Sequence, residues 1–86
     1  MFYVYTLRSK KDNNFYIGCT NNLKKRFSEH NAGKSKATVG RMPFILIYYE
    51  AYINKEDAFA REQYLKTGWG RNYLRKTLKR FLSVKI

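Results

Sequence analysis

The sequence predicts an α+β fold: a small three-stranded antiparallel sheet flanked by helices, in the order ββαβαα. Three observations lead there. Runs of β-branched and aromatic residues at 2–7, 15–19 and 44–52 have the length and composition of strands. The first two runs are separated by a short polar loop, as in a hairpin. The stretches that follow open on asparagine and end at or near glycine, as helices do. Eighty-six residues make one domain, 1–86.

Residues 2–7 form the first strand, with Tyr3, Tyr5 and Leu7 on one face and Phe2, Val4 and Thr6 on the other. Arg8 to Asn14 is a polar loop whose Asp12-Asn13-Asn14 visits positive φ at low cost. Phe15 to Cys19 is the returning strand, so Tyr5 and Tyr16, eleven residues apart, meet over one surface. Asn21 or Asn22 caps a helix running to Ala32 and ending at Gly33. Residues 34–42 are basic and small and are expected to be mobile; Phe44 to Tyr52 is a core strand. Asn54 with Asp57 resembles a capping box for a helix running through Thr67. Gly68-Trp69-Gly70 is expected to break that helix, with Trp69 wedged between helices or, as the second reading, free to stack on a nucleic-acid base. A last helix from Asn72 to Leu82 sets Leu74, Leu78, Phe81 and Leu82 against Arg75, Lys76, Lys79 and Arg80.

Eighteen Lys and Arg against six Asp and Glu give a net charge of +12, which draws polyanions. Nucleic acid is the leading partner class, ahead of an anionic membrane surface, with Lys24, Lys34, Lys36, Arg41, Arg71 and Arg75 as candidate phosphate contacts. No stretch has the length of a transmembrane span and no signal-peptide pattern precedes the first strand, so a soluble cytoplasmic protein is expected, with no membrane partner. Cys19 is the only cysteine, which excludes an intrachain disulfide and a Cys-rich zinc site.

Several polar residues fall on faces that periodicity marks as inward. At about 100° per residue, Arg26 and His30 lie on or beside the Leu23–Phe27 face of the first helix, one turn apart. On the next long helix Glu62 lies between Phe59 and the face of Ala58 and Leu65. An inward carboxylate is costly unless paired or bound to metal. Taken singly, each has an ordinary reading: His30 as a satisfied core histidine, Arg26 and Glu62 as an ion pair, the tyrosines as sheet aromatics. Taken together, two tyrosines, an arginine, a histidine and a carboxylate converge on the sheet of a strongly basic chain.

This set resembles the GIY-YIG (URI) endonuclease superfamily. Tyr3-Val4-Tyr5 looks like its first signature with Tyr in place of Gly, and Tyr16-Ile17-Gly18 is its second signature intact. Arg26 follows Tyr16 by ten residues and His30 by fourteen, and Ala60-Arg61-Glu62 matches the helix with the family's metal-binding glutamate. The length and the Gly68–Asn72 stretch look most like the small stand-alone bacterial branch, without an appended DNA-binding domain. Asn72 matches loosely an asparagine that follows the glutamate; a helix N-cap is its other reading.

The resemblance implies metal-dependent hydrolysis of DNA phosphodiesters. Tyr16, with Tyr5, would position or deprotonate water, Arg26 would bind the scissile phosphate, and His30 would orient the nucleophile or relay its proton. Glu62 would hold Mg²⁺ or Mn²⁺ with waters completing the shell. Gly18 would let the backbone approach closely beside the second tyrosine. Some members carry Lys after the second signature, where this chain has Cys19. The competing expectation is a non-catalytic DNA- or RNA-binding module that keeps the nuclease fold; a third is a basic protein whose protein partner supplies targeting.

Overall fold

In the computed structural model, which describes residues 1–84, strand β1 (Phe2–Ser9) lies between β2 (Phe15–Thr20) and β3 (Phe44–Tyr52), antiparallel to both. The hairpin register pairs Tyr5 with Gly18 and Leu7 with Tyr16, which sets both tyrosines on one face of the sheet. β1 runs to Ser9, two residues beyond the expected strand, because Ser9 pairs with Phe44 of β3. Its hydroxyl donates to the Arg41 carbonyl at 2.6 Å and accepts from the Lys11 and Asp12 amides at 3.1 and 3.2 Å, so the turn begins there. Asn13 takes the expected positive φ, 62°.

Helix α1 (Leu23–Asn31) covers the tyrosine face, where Leu23 and Phe27 pack against buried Tyr5, Leu7 and Phe44. The Asn22 side chain caps it by accepting from the Lys25 amide at 3.1 Å. On the opposite face, Ala58 and Leu65 of α2 (Lys55–Leu65) and Leu74 of α3 (Gly68–Thr77) form a second core with Val4 and Ile17. Asn54 caps α2 through the Asp57 amide, 3.0 Å. The sheet is therefore sandwiched rather than covered on one side.

Five expectations are corrected. Residues 34–42 are ordered: Ser35 and Thr38 are buried, and Val39–Arg41 form a single helical turn. A loop earns order when its polar groups find partners, and Thr38 finds His30. The break after α2 falls at Lys66–Thr67 rather than at the glycines, which form the first turn of α3. Thr67 caps α3 by accepting from the Gly70 amide at 3.2 Å, leaving Asn72 inside the helix, exposed and not an N-cap. Gly70 sits so close to the Tyr64 carbonyl and the Leu65 Cα that any Cβ would overlap them. The glycine packs that corner, and Trp69 points outward, 78% exposed. The final expected helix is two: α3 ends at Thr77, and Leu78 precedes a one-turn α4 (Lys79–Leu82).

One further network ties β3 to both helices of the second core. Glu50 accepts from the Tyr48 and Tyr52 hydroxyls at 2.5 Å each and from two Arg61 nitrogens at 2.9 and 3.0 Å. The Arg61 guanidinium lies 4.7 Å from the Tyr73 ring of α3. Among the described residues, no helix is long and apolar enough to cross a membrane.

Candidate active site

Edge strand β2 organises the candidate residues. Tyr16 and Gly18 face α1, and Ile17 and Cys19 face α2, by simple alternation. Gly18 is buried beneath the Tyr5 ring: a Cβ there would collide with Tyr5 Oη and Cζ. The close approach expected at Gly18 thus serves the first tyrosine, its cross-strand partner, rather than the second. Only glycine lets the Tyr5 phenol lie across β2.

That placement brings Tyr5 Oη to 2.9 Å from His30 Nε2, while His30 Nδ1 lies 2.7 Å from Thr38 Oγ1. The three groups form one hydrogen-bonded chain, all of it buried: Tyr5 is 1% exposed, and His30 and Thr38 are fully enclosed. Burial pushes the Tyr5 phenol up to about 12; the Arg26 guanidinium beside it pulls the other way but does not win. Burial, helped by Arg26, lowers His30, so its imidazole is neutral at pH 7. Tyr16 packs on this chain by its ring, with its centroid 5.0 Å from that of His30 and 6.4 Å from that of Tyr5. Unlike Tyr5, it is only half-buried.

Arg26 lies beside this chain with a third of its side chain exposed. It does not pair with Glu62. Its nitrogens reach Glu29 Oε1 at 3.3 Å and Ser35 Oγ at 3.4 Å, single long contacts that leave most donors of the fork free. Burial disfavours the Arg26 charge, but Tyr5 and Glu29 outweigh it and the net shift is upward.

Glu62 approaches from the other side. It lies on α2 and lines an open groove with Phe2, Cys19, Thr20, Lys55 and Glu56. Its side chain is 12% exposed, with Lys66 Nζ at 3.3 Å. Its charge is felt both by Cys19, whose thiol burial pushes up, and by Tyr5 across the strand. Glu62 therefore meets the tyrosine side at the β2 edge rather than on a shared face. Among the described residues, no group of three or more His, Cys, Asp and Glu comes together. Glu62 is the more enclosed of the two carboxylates in this open groove, and so sparse a ligand set suits a hard cation that keeps most of its waters.

The remaining candidates scatter. Tyr3 packs edge-on against Tyr49, centroids 6.1 Å apart, and lines a groove with Lys24. Lys34 and Lys36 are exposed on the loop after α1. Arg41, Arg71 and Arg75 gather in a groove at the hairpin end, joined by Arg8. Sequence reasoning missed Thr38, Arg8 and Lys55. Thr38 sits in a segment without periodicity, so no pattern in the chain marks it.

The description of the family whose model matches residues 1–75 is the GIY-YIG catalytic domain. A UPF0213 protein of Clostridium perfringens is 49% identical over 67 residues, 77% of this chain and 71% of that protein. One of Staphylococcus haemolyticus is 44% identical over 66 residues, 76% and 79% of the two chains. The solution NMR structure of a UPF0213 protein from Bacillus halodurans is similar with a TM-score of 0.56 and 34% identity, over 90% of this chain and 85% of that one.

Proposed function

The chain belongs to the GIY-YIG family, alongside UPF0213 proteins, and from that premise we propose that it is a metal-dependent endonuclease hydrolysing DNA phosphodiester bonds. One observation carries the reading: a half-buried phenol, Tyr16, backed by the enclosed Tyr5–His30–Thr38 chain and flanked by a largely unpaired Arg26.

Burial divides the labour among the five residues. Tyr5 and His30 cannot touch a substrate from where they lie, so they are positioning residues: they hold the Tyr16 ring and the site's neutral hydrogen-bonded floor. Arg26 binds the scissile phosphate, its fork matching two oxygens. Tyr16 Oη holds the attacking water. The water oxygen bonds to phosphorus, the bond from phosphorus to the leaving sugar oxygen breaks, and the water proton leaves through Tyr16 Oη to solvent. The leaving oxygen takes its proton from solvent. Glu62 would hold Mg²⁺ or Mn²⁺, which when bound supplies charge stabilisation at the phosphate and leaving oxygen. Lys55, in the Glu62 groove, brings a cation close to Cys19, the position where some members have Lys.

The test is nicking of supercoiled, flap and branched DNA by the purified protein with Mg²⁺ or Mn²⁺. Wild type should cleave, and Glu62→Ala should slow cleavage at least about 100-fold, since a bound cation is worth several kcal/mol in the transition state. DNA binding should survive. Equal inactivity of both proteins on every substrate, with salt-dependent binding intact, would establish the binding-module reading instead.

A further inference from the structure

Four arginines converge where neither the tyrosine site nor the Glu62 groove reaches. We propose that the groove at the hairpin end of the sheet, lined by Arg8, Arg41, Arg71 and Arg75, grips the phosphate backbone of the nucleic acid outside the segment that reaches Tyr16. The proposal deepens the reading above and rests on nucleic acid being the substrate.

The four come from three separate parts of the chain: β1, the turn at Val39–Arg41, and one face of α3, where Arg71 and Arg75 are a turn apart. Like charges gathered in one groove repel, and a fold that assembles them without matching carboxylates is arranged for an external anion. Here Asp12 is the one carboxylate lining the groove, 2.8 Å from Arg41 and held down to about 2 by it. Among the described residues, Arg8, Arg71 and Arg75 have no carboxylate within ion-pair distance.

Arg8 adds an independent observation. Its Nε is buried and has no hydrogen-bond partner among the described residues, and its guanidinium lies 6.0 Å from the Phe81 ring centroid. A desolvated donor without an acceptor is costly unless a ligand supplies one. The residue type matters too. All four are arginine in a chain that also carries many lysines, and the planar fork suits phosphodiester oxygens.

Position selects a polynucleotide over a free anion. Phe15 lines the arginine groove, and its neighbour Tyr16 faces the opposite side of the same edge strand. A backbone that curves around the β2 edge passes from the arginines to the tyrosine site. An isolated phosphate has no use for that continuity, and the groove is open rather than enclosing.

The experiment measures binding of a fluorescent 20-base-pair duplex across a salt series, without divalent metal so that cleavage plays no part. Arg71→Gln/Arg75→Gln changes two exposed positions; Lys76→Gln/Lys79→Gln removes the same charge from outside the groove. The arginine double variant should bind at least about tenfold more weakly at moderate salt. Its log K against log salt slope should fall by about 1.8, from two lost phosphate contacts on B-DNA. The lysine control should move little. Equal losses in both doubles, or an unchanged slope, would overturn the proposal. So would tight binding of inorganic phosphate, read as NMR shifts at the groove that saturate below millimolar concentration. Because binding is read without cleavage, an inactive protein that still shows the arginine-specific loss refutes the nuclease and keeps the groove.

Discussion

Two tyrosine networks occupy opposite faces of the sheet, and they differ by one carboxylate. On the α2–α3 face, Glu50 collects four hydrogen bonds from Tyr48, Tyr52 and Arg61. Burial alone would raise the Glu50 carboxyl, but Arg61 and the two phenols outweigh it and lower it. The Tyr52 phenol is pushed up to about 12 by burial and the adjacent carboxylate. On the α1 face, Tyr5 bonds a neutral histidine, the chain ends in a threonine hydroxyl, and Arg26 makes two long contacts, to Glu29 and Ser35. The same residue types make a clamp where an internal anion saturates the donors. Where no internal anion does so, they leave a cation and a phenol open to an external one.

Gly18→Ala should have the largest effect on this contrast. The new methyl collides with Tyr5 and breaks its contact to His30. A misplacement near 1 Å costs a catalytic site about 100-fold in rate. Nicking should fall by that order, with a stability loss of about 1–3 kcal/mol from overpacking. Equal activity in the variant would mean that the Tyr5–His30 contact does not matter to the site.

Glu50→Gln probes the clamp. It leaves Arg61 without its anion at a partly buried site, 26% exposed, and should cost about 2 kcal/mol in denaturant unfolding. Nicking per folded molecule should not change. A rate loss would show that the two faces are coupled.

Thr38→Val removes only the hydroxyl at His30 Nδ1. Stability should fall by about 1 kcal/mol and nicking by about tenfold. The ¹⁵N shifts of His30 should move as its tautomer loses its anchor, which a purely structural threonine would not cause.

The smallest effect is in pH. His30 is lowered, so the unfolded chain binds that proton more readily; its stabilisation is present above about 6.5 and is lost as pH falls through the folded value. Glu50 is also lowered, so its contribution holds above the ordinary carboxylate value and is lost only as pH falls through the folded one. Acid should therefore loosen the α1 face first. A Tm profile in which Glu50→Gln flattens the higher-pH step rather than the lower one would reverse that order.

Local physics was legible in the sequence, and the α+β sheet with its flanking helices follows from it. The Asn22 and Asn54 caps and the positive φ of Asn13 all rest on interactions within a few residues. What escaped depends on distant partners. Thr38 matters because it meets His30 on another element. Thr67 starts α3 because Gly70 can press against Leu65, whereas glycines around a tryptophan read as a break. The alternation Tyr48-Glu50-Tyr52 was visible, but a run read as an apolar core strand hid the carboxylate inside it. The wheel placed Glu62 inward correctly, yet could not tell which face of the sheet α2 would take.

The central claim is that the α1 face carries a reactive phenol and the α2–α3 face carries a clamp. The most direct measurement compares Tyr16→Phe with Tyr52→Phe in one metal-dependent nicking assay, alongside their unfolding curves. Tyr16→Phe should lose at least about 100-fold in rate at nearly unchanged stability, the scale of a lost catalytic proton group. Tyr52→Phe should lose stability by about 1 kcal/mol and keep its rate. Wild-type rates in Tyr16→Phe, or equal rate losses in the two variants, would contradict the account.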